Sequence, residues 1–245
     1  MDPILIASLL SAVAQLAIVG PGIEIHGYVL RHGFESSIIV CSALIDMYSK
    51  CGFLKLGSQI FEIMPERNAI SYNSMISALG LHGHASEAFE RFNEMIGKGY
   101  KPDESTFSAI LCACCHAGLL KDGKEYFRKM KCEFGLDART DHYVHLVKLL
   151  GMGGKLEEAY NLIKSLPEPV DCSIWGALLS CCDAVQNSEL VEIVSQRLFE
   201  YNPLNTKYRI MLSNIYASDG RWDEVRKLRG VIDGGMRKMP GVSWI

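Results

Sequence analysis

Cys112 and Cys115 form a C-x-x-C pair followed directly by His116, a grouping of the kind that can hold zinc. A zinc site needs four ligands, and the spacing of His116 matches no zinc template, so the pair reads as small apolar side chains within the helical run ILCACCHAG. His82 with His84, and His142 with His145, lack a third partner and read as turn and packing residues; adjacent Cys181 and Cys182 read as buried small residues. No phosphate-binding loop, Ser-His-Asp order or paired carboxylates stand out. The sequence therefore predicts no catalytic residue, no metal and no cofactor.

The balance of charge bears on what could be bound. The 245 residues carry a formal net charge of −3. A protein that held nucleic acid mainly by neutralising phosphates would be basic, so any such binding here has to lean on the bases. Lys121, Lys124, Arg128, Lys129 and Lys131 form one basic run, and Arg226, Lys227, Arg229, Arg237 and Lys238 another. Both read first as solvated helix faces. Nine cysteines without a disulfide spacing point to reduced thiols. The apolar run from Ile4 to Val19 is broken by Ser8, Ser11 and Gln15, which fits a packed amphipathic helix and no membrane span.

The elements that position these residues repeat. In residues 69–103, Tyr72, Met75, Ile76 and Leu79 make one apolar helical stripe, Gly83 breaks it, and Ala88, Phe89, Phe92, Met95 and Ile96 make another that ends at Gly99 and Pro102. Two helices with one apolar face each need neighbours of the same kind, so one such unit predicts a stack. Ser74-Met75-Ile76 with Gly83, Phe92 and Met95 recurs upstream as Ala43-Leu44-Ile45 with Gly52, Phe61 and Met64. Downstream it recurs as Ala109-Ile110-Leu111 with Gly118, Phe127 and Met130, then as His145-Leu146-Val147 with Gly154, Ile163 and Leu166. Fainter copies at both ends give boundaries near 3–37, 38–68, 69–103, 104–139, 140–171, 172–205 and 206–237. Trp175, Tyr208, Leu212, Ile215, Tyr216 and Trp222 are the expected core anchors of the last two.

Several words narrow the choice among repeat types. ALIDMYSKCG (43–52), SYNSMISALGLHG (71–83), GYKPD (99–103), HAGLLKDGKEYF (116–127), DHYVHLVKLLGMGGKLEEAY (141–160), LSNIYASDGRWDEV (212–225) and PGVSW (240–244) resemble a plant organellar pentatricopeptide repeat protein of the PLS subclass. The resemblance covers nearly the whole chain. It implies an all-α fold: an α-solenoid of stacked helix-turn-helix repeats in a right-handed superhelix, with repeats at 3–171 and a helical-hairpin E-type extension at 172–245. It also implies binding of single-stranded RNA in a mitochondrion or chloroplast, the mitochondrion favoured. Residues 1–30 carry no Arg- and Ser-rich, acid-poor transit pattern, so the expectation is that either targeting lies outside this chain or the chain is a fragment.

In that family the fifth and last residues of a repeat read one base. Carried onto this sequence, the pairs are Asn73 with Asp103, implying uridine, and Ser42 with Asn68, implying adenosine. Ile39 and Ile70, second in their repeats, are the expected surfaces that sandwich the bases. Ala7 with Ser37, Ser108 with Arg139 and Val144 with Asp171 are not standard pairs, and Ser105 and Asp141 stand where an aliphatic residue is usual. An Asn near a helix start and an Asp after a proline are also ordinary capping and turn residues. The family's C-terminal extension is associated with C-to-U editing, whose zinc deaminase chemistry needs H-x-E followed by P-C-x-x-C, and no H-x-E occurs here. The resemblance thus implies a site-recognition factor with a deaminase or editing factor supplied in trans through 172–245, without a membrane or small-molecule substrate. The alternatives are a protein-binding helical scaffold, or a piece of a longer editing factor with little RNA affinity of its own.

Overall fold

The computed structural model describes residues 2–182, 184–203 and 205–233, and among them it contains fourteen α-helices and no strand. The helices form pairs: α1 (Pro3–Leu16) with α2 (Val19–Arg31), α3 (Ile38–Lys50) with α4 (Leu54–Ile63), α5 (Ala69–Leu81) with α6 (Ala85–Gly97), and α7 (Glu104–Ala117) with α8 (Leu120–Cys132). Then follow α9 (Thr140–Met152) and α10 (Leu156–Lys164), α11 (Cys172–Leu179) and α12 (Ala184–Tyr201), and α13 (Thr206–Ser218) and α14 (Trp222–Asp233). Each pair lies inside one of the seven sequence units. No helix among the described residues is long and apolar enough to cross a membrane.

Local chemistry fixes where these helices start and stop. Side-chain oxygens of Asp2, Asn68, Asp103, Asp171 and Asn205 accept from backbone N–H groups in the first turns of α1, α5, α7, α11 and α13. Those N–H groups have no partner inside the helix, so an acceptor there stabilises the start. Five of the first helices, α3, α5, α7, α9 and α13, end near a left-handed glycine: Gly52, Gly83, Gly118, Gly154 and Gly220 have φ between 68° and 90°. At each, the next residue's N–H reaches five residues back, as from Phe53 to the Tyr48 carbonyl at 2.8 Å and from His84 to the Leu79 carbonyl at 2.9 Å. This closes the helix with its last carbonyls satisfied. In the first pair Ala17 takes the same conformation, at φ 53°.

The chain forms two compact units, Met1–His145 and Leu146–Ile245. In the first, α1, α3, α5 and α7 pack on one another in order, and α2, α4, α6 and α8 each cover the first helix of their own pair. Phe61, Phe92 and Phe127, at one register of successive second helices, each meet an aromatic ring at one register of the next first helix: Tyr72 at 5.3 Å, Phe107 at 5.5 Å and Tyr143 at 5.6 Å between centroids. These edge-on and tilted contacts are the favoured aromatic geometries, and they tie pair to pair. Gly80 lets α5 and α7 approach closely, since a Cβ added there would lie 2.9 Å from that of Ala113.

In the second unit, Trp175, Leu178, Leu179, Val191, Val194, Leu198, Leu212 and Tyr216 form the core. The Tyr216 hydroxyl donates to Glu192 at 2.7 Å. Tyr208 and Ile215 are half-buried. Trp222 departs from the sequence expectation: it is 58 % exposed. It opens α14, and the packed face of that helix begins three residues later at buried Val225. The segment PGVSW (240–244), with Arg237 and Lys238, lies outside the described residues.

Candidate nucleic-acid interface

The starts of the first helices in the N-terminal unit carry the candidate site. Asn73, in the second turn of α5, donates from Nδ2 to Asp103 Oδ1, the cap of α7, at 3.0 Å. The same Asp103 oxygen accepts from the Thr106 backbone N–H at 2.9 Å. Capping and pairing therefore use one carboxylate oxygen, and Oδ2 takes no hydrogen bond among the described residues. Asp103 is exposed and Asn73 half-buried, so the pair stands at the surface. Its remaining amide N–H, amide lone pair and carboxylate oxygen can meet the hydrogen-bonding edge of an unpaired base.

The other expected pair is not joined. Ser42 is 5 % exposed and its Oγ has no hydrogen-bond partner among the described residues. Asn68 caps α5 through a reciprocal exchange with Ser71. Ile39 and Ile70, each the second residue of its helix, are 49 % and 57 % exposed and present bare aliphatic surface at the same helix ends. Ser105 and Asp141 hold that register in α7 and α9. Burial pushes the Asp141 carboxyl up, but a hydrogen bond from Ser108 and the neighbouring His142 outweigh it and hold the group below its ordinary 3.8. Ser108 thus serves Asp141, and Arg139 pairs with Glu104 at 2.8 Å.

The sequence reading missed a set of supporting side chains. Three residues after the last residue of a repeat, Ser71, Thr106 and His142 are each fully buried and each accept from the backbone N–H of that last residue, at 3.0, 3.0 and 2.9 Å. His142 also donates from Nε2 to the Glu104 carbonyl at 2.7 Å, linking the starts of α9 and α7. The spacing was available as a signal, but it departs from the usual capping box, where a Glu or Gln fills this place. At the turn between α5 and α6, His82 Nε2 meets the Ser49 carbonyl at 2.9 Å and His84 Nδ1 meets Glu87 at 2.7 Å. Cys115 Sγ donates to the His145 carbonyl at 3.1 Å, and burial pushes the Cys114 thiol up to about 12. Among the described residues no three His, Cys, Asp or Glu side chains gather as a metal site. The first basic run lies along α8, where Arg128 is held by Glu125 and Glu133.

Stacked two-helix units of uneven length, with a polar pair bridging the starts of neighbouring first helices, define a helical-repeat protein. Comparison with known proteins names the repeat. The PPR repeat family matches residues 67–116, the PPR repeat 105–133, the pentatricopeptide repeat domain 25–81 and the E motif 185–245. A pentatricopeptide repeat-containing protein of Arabidopsis thaliana is 51 % identical over 99 % of this chain and 44 % of its own length. The chloroplastic protein CRR2 of the same plant is 38 % identical over 100 % of this chain and 36 % of its own. The chain therefore spans less than half the length of these curated relatives. The crystal structure of pentatricopeptide repeat protein PPR10 in complex with an 18-nt psaJ RNA element has a similar fold, with TM-score 0.73 at 17 % identity over 96 % of this chain and 36 % of that one. The crystal structure of the pentatricopeptide repeat protein PPR10 from maize gives 0.67 at 15 % over 96 % and 39 %. The chain carries pentatricopeptide repeats and an E motif, and its relatives are plant pentatricopeptide repeat proteins.

Proposed function

We propose that this chain binds single-stranded RNA and reads individual bases at the starts of its first helices. One observation carries the reading: Asn73 and Asp103, thirty residues apart, meet through a hydrogen bond at the surface and keep unsatisfied donor and acceptor groups. Ile39 and Ile70, exposed at the starts of α3 and α5, supply apolar faces on which bases can stack, a contact worth about 1–3 kcal/mol per base. The net charge of −3 favours recognition of bases over phosphate neutralisation. The RNA in the complex of PPR10 and the 38 % identity to chloroplastic CRR2 support an organellar transcript as the ligand. A mitochondrial relative of equal identity leaves both organelles within the proposal.

The finer proposal is site recognition in C-to-U editing of organellar transcripts by a PLS-type protein. The repeats choose the site, and residues 172–245, which contain the E motif, recruit a deaminase in trans. The chain itself acts as a binding protein and not as an enzyme. Incubation with a randomised RNA pool and sequencing of the bound fraction tests the binding reading. Enrichment of adenosine followed by uridine at one fixed register supports it; a bound fraction without base bias favours a protein-binding scaffold.

A further inference from the structure

Asn73 can read only with the groups its neighbours leave open. A primary amide has two N–H donors and two acceptor lone pairs. One N–H goes to Asp103 Oδ1 at 3.0 Å, and the single hydroxyl proton of Thr106 has two acceptors in reach, Asn73 Oδ1 at 2.6 Å and Asp103 Oδ1 at 2.9 Å, of which the shorter contact is to Asn73. Thr106 is itself fixed, being fully buried, accepting from the Asp103 backbone N–H at 3.0 Å and donating its own backbone N–H to Asp103 at 2.9 Å. What stays open on Asn73 is one donor on the Asp103 side and one acceptor on the Thr106 side. Uridine and cytidine present opposite orders along this edge: a donor at N3 with an acceptor at position 4 in uridine, an acceptor at N3 with a donor at position 4 in cytidine. An amide free to turn by half a circle would serve both. The hydrogen bond to Asp103 pins one end of the amide, and the one from Thr106 pins the other and so fixes its plane.

We propose that Thr106 is a positioning residue for specificity, holding the Asn73 amide in the single orientation that tells uridine from cytidine. The inference rests on the base-reading function proposed above. The neighbouring register lacks the device: Ser71 Oγ donates to the Asn68 carbonyl at 2.9 Å, and Ser42 has no partner among the described residues.

The test measures affinities of the 245-residue chain and its variants for RNAs differing only at the nucleotide opposite residues 69–103. T106V, close to threonine in shape but without its hydroxyl, is expected to lower the uridine-over-cytidine preference about three- to tenfold, the size of one hydrogen bond. T106S is expected to keep it. T106V also loses the acceptor for the Asp103 backbone N–H, so its thermal midpoint should fall, but that loss alone weakens both RNAs equally. Equal weakening would therefore overturn the proposal and leave Thr106 a purely structural residue. Wild-type preference for uridine with full retention in T106V would also overturn it, while base reading stands. Absence of any wild-type preference would remove base reading and this inference together. T106A, measured in the same way, decides the matter if T106V does not fold.

Discussion

Asp103 serves two ends at once, capping α7 and orienting Asn73, and the two demands fall on one oxygen. Replacing Asn73 by Thr leaves the cap bond from the Thr106 N–H to Asp103 in place, removes the amide's bonds to Asp103 and Thr106, and presents the base with a pair that the family resemblance assigns to guanosine. N73T is expected to move preference at that nucleotide from uridine toward guanosine, by about 1–3 kcal/mol per mispaired base, and to leave the adenosine opposite Ser42 and Asn68 preferred. Competition binding with four RNAs checks it; uniform loss on all four would make Asn73 a support of the fold. A second residue-scale prediction concerns Glu94, which meets Arg91 at 2.7 Å, Lys98 at 2.8 Å and Tyr72 at 2.9 Å. Burial pushes its carboxyl up, yet hydrogen bonds from Lys98, Arg91 and Tyr72 and the Arg91 charge outweigh that and bring it to about 2, against an ordinary 4.5. A depressed carboxyl stabilises the fold above its unfolded value and loses that contribution as pH falls from 4.5 toward about 2. Urea unfolding should find E94Q less stable than wild type by about 1 kcal/mol near neutral pH, after allowance for screening of a partly exposed network. The difference should vanish as pH drops through that window. The residues of the pair were legible in the sequence through the family's spacing. Thr106 was not, because a threonine three places past a cap looks like any other buried hydroxyl until its partner from another repeat is seen.

At the scale of elements, the turns were the most legible part. A glycine near the end of every described first helix from α3 to α9 is the residue that takes the left-handed closing conformation without cost, so Gly52, Gly83, Gly118 and Gly154 marked the helix ends directly. Aromatic registers were legible in the same way, since Phe61, Phe92 and Phe127 recur at the repeat spacing and meet the next pair. Exposure of Trp222 was not, because hydropathy says that a side chain prefers burial and leaves open which face of a helix a neighbour covers. Gly80 tests the packing between pairs, as an added Cβ would meet the Ala113 Cβ at 2.9 Å and its backbone at 3.1 Å. G80L forces α5 from α7 and is expected to cost about 1–3 kcal/mol by overpacking, more than the gain in helix propensity returns. Thermal unfolding measures it; an unchanged or raised midpoint would mean that the two helices have room to separate.

For the whole molecule, the claim is that repeats select an RNA while chemistry comes from elsewhere. Purified protein is accordingly expected to hold no stoichiometric zinc by elemental analysis and to leave cytidine in RNA unconverted, since no H-x-E occurs in the sequence. One zinc per chain, or deamination that survives rigorous removal of other enzymes, would contradict this. The all-α repeat architecture was legible from self-similarity alone, because each pair needs a neighbour to bury its second face and so copies its pattern along the chain. The site was legible in part, since a repeat code names positions but the hydrogen bonds that join or fail to join them depend on side chains from adjacent repeats. The most direct measurement compares two RNAs that differ only in the order of two bases, adenosine then uridine against uridine then adenosine, opposite residues 38–68 and 69–103. Tighter binding of the adenosine–uridine order by several-fold or more is the predicted result; equal affinity for both orders would contradict the reading of bases by this chain.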